Sequence, residues 1–364
     1  MPPRRPDREE AVDAAHEPTE RTMYLDEVPS RRPRRLTMEI PEELITALEA
    51  PALELTALQS VNGVGLGMRE ENEEFFDELA VRVYVDDATD IPELPTQITG
   101  MPVCVVEFPI EPLFTPDTSR HDLLVGGAQI EQAPMAAGTL GAVVLRNNDN
   151  TLAGLTCHHV SGDTGARVFQ PTAPPMPIGS TPDLTDSLGQ VIAFDSPVTQ
   201  TIPTPAGGVL WLGRQVDTAI IALDEAAQKG RTFSNEIADG FGAVTQTQAP
   251  AVKMFVRKRG SQTGPTGGQI IGMALAISWK SGSPPDGHLY AMANQFEIFF
   301  NPADCPDGIF ARGGDSGSVV LQSGTHTAVG LLWGGVAQGG RRAVMSDITM
   351  VEQRLDVTLA WAFS

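Results

Sequence analysis

Cysteine is scarce in this sequence, with three residues in 364, at Cys104, Cys157 and Cys305. They are too few and too scattered for a disulfide framework, and no paired CxxC spacing marks a structural zinc site. A reducing compartment is the simplest setting for such a chain. Basic residues are short as well: 25 Lys and Arg stand against 46 Asp and Glu, a formal net charge of -21. A surface of that sign repels phosphate backbones and anionic bilayers, so neither nucleic acid nor a membrane is an expected partner. Long apolar runs are missing, since none approaches the roughly 18 residues of a spanning helix. The charged start, Met1-Pro2-Pro3-Arg4-Arg5-Pro6-Asp7-Arg8-Glu9-Glu10, has no apolar segment behind it of the kind a secretory signal carries. The expected location is cytoplasmic.

What is present divides into three stretches. Residues 1–38 mix Arg, Glu, Asp and Pro with almost no apolar periodicity, and are expected to be a flexible charged arm. Its cluster Arg31-Arg32-Pro33-Arg34-Arg35 is either solvated or docked on an acidic surface of the same protein. Residues 39–115 read as a small α+β domain, with a helix over 41–48 that has proline in its first turn, then strands over 60–67, 79–85 and 102–108. From 124 to 364 short β-like runs alternate with Gly, Pro, Asn and Asp, which predicts a mainly β barrel or sandwich. Examples are 141–145 and 328–333. The proline- and glycine-rich stretch 171–205 is expected to contain a long surface loop.

Chemistry concentrates in three places. In Gly313-Gly314-Asp315-Ser316-Gly317-Ser318, a serine between glycines sits on a tight turn, where the N–H groups of Gly314 and Ser316 can receive a developing oxyanion. A merely flexible loop is the plain alternative. A serine hydroxyl needs a base, and His159 in Leu155-Thr156-Cys157-His158-His159-Val160 is the candidate. The base needs an orienting carboxylate, for which Asp217, heading the apolar run Thr218-Ala219-Ile220-Ile221-Ala222-Leu223, is placed. Taken singly, both histidines could be structural or solvent-facing and Asp217 a strand-end cap.

Together the three segments resemble the chymotrypsin/trypsin family in the histidine motif around His159, the aspartate motif around Asp217 and the serine motif Gly314-Asp315-Ser316-Gly317-Ser318, in that family's order. The resemblance implies a chymotrypsin-like double β-barrel behind the small α+β domain, with the site in the cleft between barrels. In that pattern the catalytic histidine directly precedes the final Val or Cys, which selects His159 over His158. A narrower resemblance is to the bacterial and plant trypsin-like peptidases of the NARROW LEAF type, carried by 60–67, 256–264 and 328–332. It implies a serine endopeptidase acting on protein or peptide substrates, with Leu332, Trp333 and Gly334 pairing with substrate backbone. The specificity position six residues before the nucleophile falls on Phe310, with Asp304 and Asp307 close enough to change the match. The disulfide common beside the family's histidine is absent, because Val160 stands there. In zymogen-type relatives a new amino terminus pairs with the Asp before the nucleophile. Leu124-Val125-Gly126-Gly127 resembles the segment found there, so it is either a cleavage point or an entry loop into the first strand.

Other readings remain beside this one. An α/β-hydrolase elbow requires G-x-S-x-G, and position 318 is Ser; only His326 follows the nucleophile, ten residues on. A metal site of Cys157, His158 and His159 would need neighbouring side chains to converge, whereas a strand alternates them; no metal and no cofactor are expected. The non-enzymatic reading is a catalytically silent protease fold used as a peptide-binding or scaffold module. A cytoplasmic protease must also be restrained, by cleft occlusion, homo-oligomerisation or a regulatory protein partner.

Overall fold

The computed structural model describes residues 38–362, apart from 39, 57, 59, 86, 90, 92, 109–118, 133–136, 172–182, 197–199, 204–208, 213–214, 282–287 and 336–339. The expected arm therefore lies outside the described residues except for its last member, Met38, whose N–H reaches Val252 O at 3.2 Å.

The helix Glu42–Thr56 begins behind Pro41, whose missing N–H costs nothing in a first turn, and carries Glu42 and Glu43 at its positive end. Leu48, Ala52 and Leu55 recur at helical spacing and are buried. The helix passes Pro51 and ends eight residues beyond the expected 48. Its apolar face lies on Val64, Leu66, Val81, Val83 and Val85, from the antiparallel strands Val61–Glu71 and Glu74–Val85.

Those strands do not form a sheet of their own. Val61–Glu71 pairs antiparallel with the long strand Gly264–Ser281, which belongs to a closed ring of six: His288–Phe300, Arg342–Asp347, Thr327–Gly335, Val319–Gln322, Phe255–Gly260 and Gly264–Ser281, the last pairing back onto the first. This closed barrel has its own core, including Val256, Ile270, Ile298, Phe310, Val329 and Met345. A second sheet of eight strands runs in the order Val357–Thr358, Ala142–Arg146, Leu152–Thr156, Ala219–Ala222, Ser187–Phe194, Arg167–Phe169, Gln129–Gln132, Ala137–Thr139. It is open among the described residues. The fold is thus mainly β, with the two barrel-like sheets expected from the sequence.

One local expectation needs correction and another lies partly outside the described residues. Of the stretch 171–205, residues 172–182 are not described, and the rest contains the strands Ser187–Phe194 and Gln200–Pro203. Ser187–Phe194 buries Leu188 and Val191 in the middle of the eight-stranded sheet; the flanking prolines and glycines had masked a short apolar run. Residues 124–127 are not a simple entry loop: Leu123–Gly126 is a strand parallel to Thr232–Ile237, and the Leu124 side chain is fully buried.

Candidate active site

His159 lies in the helical turn His158–Ser161, directly after the strand Leu152–Thr156. Asp217 precedes Ala219–Ala222, and these two strands are paired antiparallel. Adjacent strand ends therefore bring together groups that are distant in sequence. The Asp217 carboxylate accepts the His159 main-chain N–H at 3.3 Å through Oδ1, while Oδ2 meets the His159 ring at Nδ1. Asp217 is nearly buried and the His159 side chain is 32% exposed, so the carboxylate lies behind the ring and the ring faces open space. His158 turns elsewhere: its Nε2 is 2.8 Å from Asp163 Oδ1 and its ring 4.5 Å from that of Phe194.

Ser316 belongs to the other sheet, three residues before Val319–Gln322. Its loop is held from both sides. The Thr139 N–H binds Ser316 O at 2.7 Å, and the hydroxyls of Thr139 and Ser261 both donate to Gly314 O at 2.7 Å. The Asp315 carbonyl accepts the Ser318 N–H at 3.0 Å and the Ser318 hydroxyl at 2.6 Å. With these carbonyls fixed, the N–H groups of Gly314 and Ser316 donate to nothing among the described residues. Gly317 requires glycine on two counts: φ is +97°, and a Cβ there would run into Thr139 O and the Thr156 hydroxyl.

The structure brings His159 and Asp217 into direct contact and sets Ser316 beside them without a hydrogen bond to the ring among the described residues. The Ser316 hydroxyl donates to Trp333 O at 3.2 Å. The serine turn and the turn that carries His159 approach each other at Gly138, where an added Cβ would meet both the Val160 methyls and Ser316 O. Leu332 has its main chain occupied: its N–H binds Ser318 O, and its carbonyl accepts the Gly317 N–H at 2.7 Å and the Cys157 thiol at 3.2 Å. Of the three residues expected to pair with substrate, Leu332 therefore serves the protein's own interior, Trp333 occupies a bulge in its strand, and Gly334 is half-buried. Phe310 is fully buried, and Lys258 Nζ lies 5.5 Å from its ring centroid.

Sequence reasoning missed the group that holds Asp315. Its carboxylate is fully buried and paired at 2.8 Å with the equally buried ammonium of Lys258. It also accepts the N–H groups of Gln262, Thr263 and Arg312 and the Thr263 hydroxyl. Burial pushes this carboxyl up, but Lys258 and the hydrogen bonds hold it below the usual carboxylate range. Burial pushes the Lys258 ammonium down against the pull of Asp315. An amino terminus released at Leu124 is thus not needed to neutralise Asp315. The signal for Lys258 was in the strand Phe255–Gly260, where alternate positions 256, 258 and 260 face inward and one of them is a lysine. Glycine at 260 is required because a Cβ would strike the Asp315 carboxylate.

Fold and site define a mainly β protein in which a buried carboxylate backs a half-exposed histidine, beside a serine turn with two unspent N–H donors. No family model matches the sequence, and no curated protein matches it. Among solved structures the chain is similar to Thermobifida fusca Protease A, at 18% identity and a TM-score of 0.43 over 65% of this chain and 97% of that one. It is likewise similar to Cellulomonas bogoriensis chymotrypsin (17%, TM-score 0.42, 65% and 97%) and to an alpha-lytic protease homolog, N4 (19%, 0.42, 65% and 99%).

Proposed function

We propose that this chain is a serine endopeptidase of the NARROW LEAF type, cleaving protein or peptide substrates through His159, Asp217 and Ser316. The reading rests above all on the His159–Asp217 pair. A carboxylate on Nδ1 fixes the tautomer in which Nε2 carries a lone pair and can accept a proton. The reading requires the Ser316 hydroxyl to leave Trp333 O and reach that nitrogen; such bonds are often unformed without substrate. Ser316 then attacks a peptide carbonyl, His159 takes its proton, and the Gly314 and Ser316 N–H groups receive the oxyanion. His159 returns the proton to the leaving amine, and water hydrolyses the acyl-enzyme. A cytoplasmic setting, and restraint by the arm or by a partner, belong to the same proposal.

One observation favours the silent-module reading, namely the bond from the Ser316 hydroxyl to Trp333 O in place of the ring. A fluorophosphonate probe separates the two readings, since it phosphonylates, with loss of fluoride, a serine that a base has activated. Labelling of the full chain that disappears in Ser316→Ala, and falls by about 10⁴-fold or more in His159→Ala, supports the enzyme. A wild-type chain that takes no label overturns it.

A further inference from the structure

The Cys157 thiol has no part in the chemistry proposed above, yet it lies against the same His159–Asp217 pair. Cys157 caps the helical turn that carries His159 and has extended backbone (φ -76°, ψ 147°); the two residues are two positions apart, so the alternation that separates adjacent strand residues does not divide them. The Cys157 sulfur, a ring nitrogen of His159 and a carboxylate oxygen of Asp217 all lie within 4.8 Å of one another. Cys157 and Asp217 are buried, and the His159 side chain is partly exposed.

We propose that Cys157, His159 and Asp217 form an inhibitory site for a zinc-class divalent ion. Thiolate, imidazole and carboxylate are the donors zinc takes, at about 2.3, 2.0–2.1 and 2.0–2.2 Å. In a tetrahedral shell these lengths set ligand atoms roughly 3.3–3.7 Å apart, a rearrangement of about 1 Å from the observed cluster. Water fills the fourth position. On binding, the Cys157 thiol releases its proton to solvent and gives up its bond to Leu332 O, a Zn–S bond forms, and nothing is oxidised or reduced. Hard cations such as Mg²⁺ and Ca²⁺, which favour six or more oxygen ligands, do not suit the set.

The inference rests on the protease reading, because it turns the same histidine to another use. A metal on Nδ1 leaves the remaining ring proton on Nε2, which then cannot accept from Ser316; a metal on Nε2 takes the lone pair itself. Either way metal binding and acylation exclude each other.

The test uses the full chain stripped by a chelator, in wild-type and Cys157→Ala forms. Two readouts are taken: cobalt(II) titration followed by the thiolate-to-cobalt charge-transfer absorption, and fluorophosphonate labelling with and without zinc, each variant scaled to its own metal-free rate. Wild type should develop the absorption, lose labelling at zinc levels that leave Mg²⁺ and Ca²⁺ without effect, and recover with chelator. Cys157→Ala should lack the absorption and need more than the roughly 10- to 100-fold extra zinc that a change outside the ligand shell requires. Equal zinc sensitivity in both forms, or no cobalt–thiolate absorption in wild type, overturns the site. Failure of metal-free wild type to label overturns the protease reading alone, since the cobalt absorption reads the site without catalysis. Thermal unfolding of both forms shows whether Cys157→Ala keeps its fold.

Discussion

At the scale of the residue, the decisive pair outside the proposed triad is Lys258 with Asp315. A buried ammonium fixes the carboxylate one position before Ser316, and with it the turn whose Gly314 and Ser316 N–H groups have no partner among the described residues. Lys258→Met preserves bulk and removes the charge, leaving a carboxylate buried without its counter-ion. Breaking such a pair costs about 3–5 kcal/mol, so urea unfolding should register that loss, and fluorophosphonate labelling should fall because the oxyanion donors are no longer held. Burial holds the Lys258 pKa below its ordinary value. Labelling by the wild type should therefore decline on the alkaline side before the ordinary lysine range of about 10.4, as neutral Lys258 releases Asp315. Asp315 acts at the other end. Its native pKa is depressed, so its contribution to stability is present above the ordinary carboxylate value of about 3.9 and is lost as pH falls through the native value. A pH series of unfolding and labelling on wild type and Lys258→Met checks both limbs; an alkaline limb unchanged by the substitution would refute the role given to Lys258.

At the scale of the element, the strand His288–Phe300 joins the two halves of the site through one side chain. The buried carboxamide of Gln295 donates to Gln215 O at 3.0 Å and to Ala293 O at 2.7 Å. It accepts from Trp333 Nε1 and the Ser346 hydroxyl, both at 2.8 Å. Gln215 leads into Asp217, and Trp333 O accepts the Ser316 hydroxyl, so a single amide bridges the chain beside Asp217 and the chain beside Ser316. Gln295→Leu leaves buried Trp333 Nε1, the buried Ser346 hydroxyl and the carbonyls of half-buried Ala293 and exposed Gln215 without this partner, each buried loss costing about 1–3 kcal/mol where no water replaces it. Ser346→Ala removes one bond of the four. Labelling rates measured below both melting transitions should fall much further for Gln295→Leu than for Ser346→Ala; equal rates would show that the bridge does not position the site. The strand itself escaped the sequence reading, as did its partner Gly264–Ser281. Bulges near Ala274 and Asn294, both at positive φ, break the two-residue alternation that marks a strand.

At the scale of the whole molecule, a buried charge cluster binds the strands of residues 61–85 to the closed barrel. Arg82 pairs with Glu70 at 2.6 Å and Glu297 at 3.0 Å, Arg342 pairs with Glu297 at 2.6 Å and also with Glu70, and the Tyr84 hydroxyl donates to Glu297. Glu297→Leu leaves two guanidiniums short of counter-charge in the interior, and urea unfolding should show a loss of about 3–5 kcal/mol; a loss under 1 kcal/mol would mean the cluster is solvated and does not tie the sheets together. Nothing in the run Val81-Arg82-Val83-Tyr84-Val85 distinguishes Arg82 from an outward-facing residue of an amphipathic strand. Both faces of this strand are covered, and only the folded chain reveals the second cover. The sequence by itself determined what local chemistry can write: the mainly β class, the helix behind Pro41, the tight glycine turn at Ser316, and the candidate residues His159 and Asp217 with their order along the chain. The tertiary structure alone decided that Lys258 neutralises Asp315, that Cys157 lies against the His159–Asp217 pair, and that Gln295 bridges the chain beside Asp217 and the chain beside Ser316. Each of these is a meeting of side chains far apart in sequence, fixed by strand register and burial, and no local pattern of residues encodes which partners a shared interior will bring together.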